Sequence, residues 1–450
     1  MKSPSEQPWR GRRLHLIGVG GAGMSAYARA AAALGAEVSG SDCAETAYGE
    51  ALCADGVLEP RIGHADANLP DGDDVEVVCS SAIPDDNVER EAALARGLRV
   101  IGRGELLGEL SALRRTIAVA GAHGKTTTTA MIVTALRGAG LDPGYLLGGT
   151  LAAGAPGGEW GSGEWLVVEA DESDRSMLDL NVEIAVLTSV ELDHHSTFGS
   201  LLELQKAYRE FLAGAPCAVI WDRPELLALR DGPLVAYDVP APALEAGGSS
   251  FTHDGVDVHL AVPGAHNALN AAAAIEVCRL AGADLKRAAS ALNEFRGAGR
   301  RFERLGTTER GALLIDDYAH HPTEVAATIA AARTLVPQRL IAIFQPHLYS
   351  RTERLRREFG EALAGADVAV VLDVYRARER AEDFPGVSGR MIAEATTEAA
   401  PGMPVYWLPG FDDAERVLRG MLGDGDVVLA MGAGDVDSLA RRLVEVESVG

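Results

Sequence analysis

The chain is predicted to be an α/β protein of three domains, each built on a mostly parallel sheet. Three observations predict this. Short apolar runs alternate with alanine-rich helical stretches from Leu14 to Met431. Glycine-bearing turns join strand to helix near positions 18–23 and 121–124. A length of 450 residues allows roughly two to four domains with sizeable cores. Alternation of this kind gives parallel sheets whose ligands gather outside the carboxyl ends of the strands.

Composition narrows the chemistry. Hydrophobic residues make up 47% and charged residues 24%, ordinary values for a globular chain. A net charge of −24 argues against nucleic acid or an anionic membrane surface as the main partner. An anionic ligand must then be held by locally placed cations and helix N-termini. Only Lys2, Lys125, Lys206 and Lys286 are lysines among 41 basic residues, which makes Lys125 less easily an accident. The cysteines, Cys43, Cys53, Cys79, Cys217 and Cys278, are scattered without CxxC spacing, as in a reducing compartment with no zinc site or disulfide framework. The N-terminus is polar, and no uncharged apolar stretch approaches bilayer length. The expectation is a soluble, cytoplasmic protein with no membrane or nucleic-acid partner; monomer and homodimer both stay open.

The first domain, residues 1–112, begins with a strand from Leu14. It runs into Gly18, Gly20, Gly21 and Gly23, then Met24, Ser25 and an alanine-rich helix. A second strand, 37–42, ends in Asp42 at the spacing expected of a ribose contact. A third, 75–82, carries Ser80 and Ser81, and a helix to about Ala95 and a strand 98–101 follow. This pattern reads as a nucleotide-binding sheet. GxGxxG alone is a weak guide to which nucleotide, since NAD and a UDP-sugar both present a pyrophosphate to such a turn.

The second domain, residues 113–298, carries the most informative stretch. An apolar strand, 116–120, leads into Gly121, Ala122, His123, Gly124, Lys125, Thr126 and Thr127, and an apolar helical run follows from Ala130. Backbone N–H groups of such a turn converge on phosphate oxygens at the positive end of the helix. Lys125 would reach the terminal phosphates, and the Thr126 hydroxyl would sit on Mg²⁺. Val119 stands where a standard Walker A has its first glycine, leaving the shorter G-x-x-G-K-T. The chain is therefore expected to bind ATP. Strands 165–169 and 184–189 end in acids and histidines: Glu169, Asp171, Glu172 and Asp174, then Glu191, Asp193, His194 and His195. Glu169 and His194 suit Mg²⁺ held by carboxylate and imidazole; a solvated acidic loop is the plainer alternative. Residues 241–264 read as a surface excursion of short strands, and His266 and Asn267 open a helix to about Leu280.

The third domain, residues 299–450, repeats the alternation with strands 313–317, 339–344, 368–372 and 427–431. After the first of these come Asp317, Tyr318, His320 and His321. Pro322 suits a helix start that Thr323 or Glu324 could cap. His320 and His321 could stabilise phosphate charge, or merely flank a cap. After the second strand stand His347 and Arg351, which would suit an incoming carboxylate. Arg300 and Arg301 face phosphate or solvate a linker.

Together these motifs resemble the Mur ligase family, over nearly the whole chain from Gly18 to about Gly434. The blocks are GVGGAGMS at 18–25, GAHGKTTTT at 121–129, EADESD at 169–174 and DHH at 193–195. HNALNA at 266–271, GRRFE at 299–303, DDYAHHPTEV at 316–325 and FQPH at 344–347 complete the order. The resemblance implies a Rossmann-like N-terminal domain that binds UDP, a central P-loop-type ATPase domain and a Rossmann-like C-terminal domain. It implies an ATP- and Mg²⁺-dependent ligase acting on UDP-N-acetylmuramate, with L-alanine as the amino acid. By position, Lys125 would hold the terminal phosphates, while Thr126, Glu169 and His194 serve Mg²⁺. His266 and Asn267 would meet adenine, Arg300 or Arg301 the phosphates, Asp317 the ribose and His320 the γ-phosphate. Tyr318, His347 and Arg351 would place the amino acid. Three positions depart from the family pattern: Ala319 for Gly, Leu348 for Arg and Ser189 for Asn.

Overall fold

The apolar runs become parallel strands, and the alanine-rich stretches become helices that cover them. The computed structural model describes residues 7–151, 154–193 and 197–444. The chain divides into two units: Met1–Pro240 with Thr252–Val258 and Leu269–Phe295, and Ala241–Phe251 with His259–Ala268 and Arg296–Gly450.

The first unit holds two sheets. Strands β1 (Arg13–Ile17), β2 (Glu37–Asp42), β3 (Arg61–Ile62), β4 (Val75–Cys79) and β5 (Arg99–Gly102) form one, in the order β3-β2-β1-β4-β5. All its pairings are parallel. The order reverses at β1, so the glycine turn after it opens at the switch point, where such sheets bind ligands. The expected third strand stops at Cys79 and leaves Ser80 and Ser81 in the following loop.

The second sheet contains β6 (Arg115–Ala120), β7 (Gly144–Leu146), β8 (Gly158–Glu159), β9 (Trp165–Glu169), β10 (Ile184–Leu187), β11 (Cys217–Trp221) and β12 (Leu234–Tyr237). Its order is β12-β11-β10-β6-β9-β7-β8. β6 thus lies between β10 and β9, and its carboxyl end opens between theirs. These central strands are buried nearly throughout, which is why they read as unbroken apolar runs. One apolar core spans both sheets of this unit, joining Ala26 and Ala30 to Leu146 and Val168. β10 ends two residues earlier than expected, although the Thr188 N–H still donates to the Ala120 carbonyl of β6 at 3.1 Å.

Strands β13 (Ala243–Glu245), β14 (Gly248–His253) and β15 (Val256–Leu260) occupy the expected excursion. The second unit's main sheet contains β16 (Glu303–Thr307), β17 (Leu313–Asp317), β18 (Arg339–Phe344), β19 (Val368–Val371), β20 (Val405–Trp407) and β21 (Asp426–Met431). Its order is β16-β17-β21-β18-β19-β20, parallel except for β16 against β17. Apolar clusters cover both faces, one around Phe344 and Phe359 and the other around Leu418 and Leu439. Pro322 begins the helix Pro322–Arg333 as expected, but His321 is the N-cap. Glu324 does take part in the cap: as the N3 residue of a capping box it accepts the N–H groups of His320 and His321. Among the described residues, no helix is long and apolar enough to cross a membrane.

Candidate active site

In the first unit the turn after β6 is drawn tight by its neighbours. Ser189 accepts the His123 N–H on Oγ at 3.0 Å and the Ala122 N–H on its carbonyl at 3.2 Å. The Thr188 hydroxyl donates to the His123 carbonyl at 2.5 Å. Gly124 sits at φ +80 as N-cap of the helix Lys125–Gly138, and a Cβ there would lie 2.8 Å from Asn270 Oδ1. No side chain caps this helix and no acid occupies its first turn, so its positive end faces the turn uncompensated. The Ser189 departure therefore has a function of its own: its hydroxyl shapes the turn.

Lys125 donates to the Gly121 carbonyl at 2.6 Å and to Glu172 Oε1 at 2.9 Å. Burial works against its charge, but Glu172, Asp171 and Glu169 hold its pKa above the ordinary lysine value. The ammonium is thus kept charged beside the turn. Asp171 is the mirror case. Burial would raise its carboxyl, yet Arg103 and Lys125 hold it well below the usual range. His123 Nε2 lies 2.6 Å from Glu191.

Thr126 and Glu169 both border a second glycine pair, Gly148–Gly149, after β7. A Cβ at Gly148 would lie 2.9 Å from Glu169 Oε2, and one at Gly149 3.6 Å from Thr126 Cγ2. The glycines leave open the space that side chains would otherwise fill over these two residues. Hydroxyl and carboxylate oxygens are the donors a hard divalent cation takes, so the donor set fits Mg²⁺. His194, expected beside them, lies outside the described residues, as does His195.

At the first sheet, Gly20 N–H donates to Asp42 Oδ2 at 2.9 Å, and Thr46 Oγ1 donates to the Gly20 carbonyl at 2.9 Å. A Cβ on Gly20 would lie 2.7 Å from that Thr46 oxygen, so the turn tolerates nothing larger there. Asp42 stands where the ribose contact was expected, but its carboxylate braces the glycine turn and also accepts the Cys43 N–H. Ser80 and Ser81 line a cleft of about 760 Å³ with Arg103, Asp174, Ser176 and Asp179.

In the second unit the expected residues gather at the carboxyl ends of β17 and β18. Tyr318 and His320 meet edge to face at 5.4 Å, and His320 and His347 at 5.8 Å. His347 stacks on Tyr375, and Arg351 Nη1 lies 3.3 Å from His347 Nδ1. Leu348 takes φ +71, a strained value for a branched side chain.

Two of the expected residues hold protein partners. Arg300 spends its donors on Asp316 and on the carbonyls of Gly434 and Gly432, so it clamps the chain onto the sheet. Arg301 lies 4.9 Å over the Tyr318 ring, and Arg300 lies 5.2 Å over the same ring. Asp317 accepts the N–H groups of Phe302 and Ala319 at 2.8 Å each, so its carboxylate braces the backbone around it. His266 is held neutral: burial lowers it to about 4, against the opposing pull of Glu324. Asn267 donates its amide to the Pro263 carbonyl at 2.8 Å.

Sequence reading missed Arg103, Asn270, Tyr375 and the Gly148–Gly149 turn. Asn270 carried a signal, one helical turn beyond Asn267. Arg103 carried a fainter one, the strand-to-helix junction Gly102-Arg103-Gly104.

Three family models match the chain: "Mur ligase family, catalytic domain" over residues 13–115, "Mur ligase middle domain" over 161–278, and "Mur ligase, glutamate ligase domain" over 300–434. The UDP-N-acetylmuramate–L-alanine ligase of Acidithiobacillus ferrooxidans is 42% identical, covering 97% of this chain and 98% of that protein. The ligase of the same name from Nocardia farcinica is 41% identical, covering 96% and 94%. Among solved structures, the UDP-N-acetylmuramate–alanine ligase of Thermotoga maritima superposes with a TM-score of 0.82 at 28% identity, covering 96% of this chain and 98% of that one. A murein peptide ligase from Psychrobacter arcticus gives 0.70 at 25% identity, covering 96% and 98%.

Proposed function

We infer that this chain, which belongs to the Mur ligase family, is an ATP-dependent ligase that joins L-alanine to the lactyl carboxylate of UDP-N-acetylmuramate. The reading is carried by full-length agreement with relatives of that activity, at about 40% identity and without a missing domain. A carboxylate does not accept an amine directly at neutral pH. ATP first converts it to an acyl phosphate, the amine attacks, and phosphate leaves as the amide forms.

The chain's own groups fit this sequence of events. The turn 121–127 offers backbone N–H groups and an uncapped helix end to the triphosphate. Lys125, held charged by Glu172, would exchange that carboxylate for the terminal phosphates. Thr126 and Glu169 would hold Mg²⁺, which when bound neutralises charge building on the transferred phosphoryl group. His194 is proposed as a further ligand. Neutral His266 and Asn267 would meet adenine, and Arg301 and His320 the phosphates. Tyr318, His347 and Arg351 would receive the amino acid, Arg351 pairing with its carboxylate. The turn Gly18–Ser25 with Ser80 and Ser81 would take the sugar nucleotide.

The test is purified protein with ATP, Mg²⁺, UDP-N-acetylmuramate and either L-alanine or a muropeptide-derived tripeptide. Phosphate release and amide product with alanine are expected. Release with the tripeptide alone would transfer the chain to the murein peptide ligases.

A further inference from the structure

Arg103 opens the helix Arg103–Ser111 directly after β5, and nothing above gives it a part in the reaction. Its side chain is only 16% exposed, too enclosed for an idle surface pair. Nε donates to Asp174 at 2.5 Å and Nη2 to Asp171 at 2.6 Å. These two acids flank Glu172, the partner of Lys125, and Asp171 itself feels the charges of both Arg103 and Lys125. The remaining terminal nitrogen, Nη1, lies 3.6 Å from where a Cβ on Gly23 would stand. That position is the third glycine of the turn, at the start of the helix Ala22–Ala33, which has neither a side-chain cap nor an acid in its first turn. A diphosphate at a glycine turn sits at this end of the helix. The same guanidinium also lines the 760 Å³ cleft beside Ser80 and Ser81.

We propose that Arg103 is a positioning residue that ties the two nucleotide sites of the first unit together. Through Nη1 it contacts the diphosphate of the sugar nucleotide. Through Nε and Nη2 it holds the 171–174 loop where Glu172 can hand Lys125 to ATP. A guanidinium has donors enough for all three partners in one plane, whereas an ammonium at the end of a single stem cannot span them. The inference rests on the first sheet being the sugar-nucleotide domain.

Two variants separate the two halves of the role. Arg103→Lys keeps the charge and loses the fork. It is expected to raise KM for UDP-N-acetylmuramate roughly tenfold and to lower kcat by a similar factor. Asp174→Asn leaves Nη1 in place but loosens the loop, so kcat falls several-fold while KM for the sugar nucleotide stays within about twofold. Thermal unfolding of each variant is measured alongside. A lowered melting temperature with unchanged kinetic constants would reduce Arg103 to scaffolding and overturn the inference, as would Arg103→Lys with an unchanged sugar-nucleotide KM or Asp174→Asn with wild-type kcat. Calorimetric titration with UDP alone keeps this test apart from the proposed activity. If the wild-type protein fails to turn over alanine, a roughly tenfold weaker UDP affinity in Arg103→Lys still supports the contact, and equal affinity still sinks it.

Discussion

Lys125 is the residue on which the proposed phosphate chemistry converges. It is one of four lysines, it stands in the only Gly-Lys-Thr sequence, and the fold gives it a carboxylate partner, Glu172. Lys125→Ala is expected to cut phosphate release about a thousandfold or more. Titration with UDP should be nearly unaffected in that variant, because the proposed sugar-nucleotide site is at the other sheet. Turnover close to the wild-type rate would remove Lys125 from the mechanism. Gly124 makes a separate prediction. At φ +80, with Asn270 Oδ1 2.8 Å from the position of a Cβ, Gly124→Ala both strains the backbone and pushes the turn off its seat. A stability loss of about 2 kcal/mol and weakened ATP binding should accompany it. Denaturant unfolding and nucleotide titration of the variant would check both. The glycine and lysine were legible in the sequence because their chemistry is local. Asn270 showed only as a second asparagine one helical turn beyond Asn267; its contact with the turn arises from where its helix ends up.

At the scale of elements, the helix Val88–Ala95 shows how the first sheet is locked. It carries Glu89, fully buried, which takes hydrogen bonds from Ser41 at 2.6 Å, Asn68 at 2.6 Å and the Ala65 N–H at 3.1 Å, with His15 at 3.1 Å. Burial would raise its carboxyl, but the hydrogen bonds of His15, Ser41, Asn68 and Ala65 outweigh it and hold the pKa at about 2. A carboxyl depressed from 4.5 to about 2 adds stability that is complete above pH 4.5 and lost as pH falls toward 2. The contribution is about 3 kcal/mol. Glu89→Gln should therefore lower stability by about that much at pH 7, and flatten the acid limb of a melting-temperature profile between pH 4.5 and 2. An unchanged acid limb would assign the loss elsewhere. Neither His15 nor Glu89 stood out in the sequence, since a buried polar pair looks there like any strand histidine and helix glutamate. The central strands were legible for the opposite reason: burial on both faces demands unbroken apolar runs. Short edge strands such as β3, β8 and β20 left no such trace, because two or three residues carry no period.

For the whole molecule, the test of the proposed metal is direct. Thr126 and Glu169, which border the Gly148–Gly149 pair, are the proposed oxygen ligands, so excess chelator should abolish alanine-dependent phosphate release. Added Mg²⁺ should restore it, and activity that survives thorough chelation would exclude the cation from the reaction. Alternating apolar and alanine-rich segments, ordered motif blocks and family resemblance were all present in the linear chain. They determined the α/β class, the phosphate turn and the kind of reaction, because periodicity and turn chemistry act over a few residues. Tertiary structure alone decided which charged groups are spent on the scaffold. Arg300 and Arg301 are neighbours with identical side chains, yet one clamps carbonyls of a loop more than a hundred residues away. Arg103 acquired its acids from a loop in another sheet. Hydrogen bonds and ion pairs are short-ranged in space and indifferent to distance along the chain, so these choices exist only once the sheets have formed.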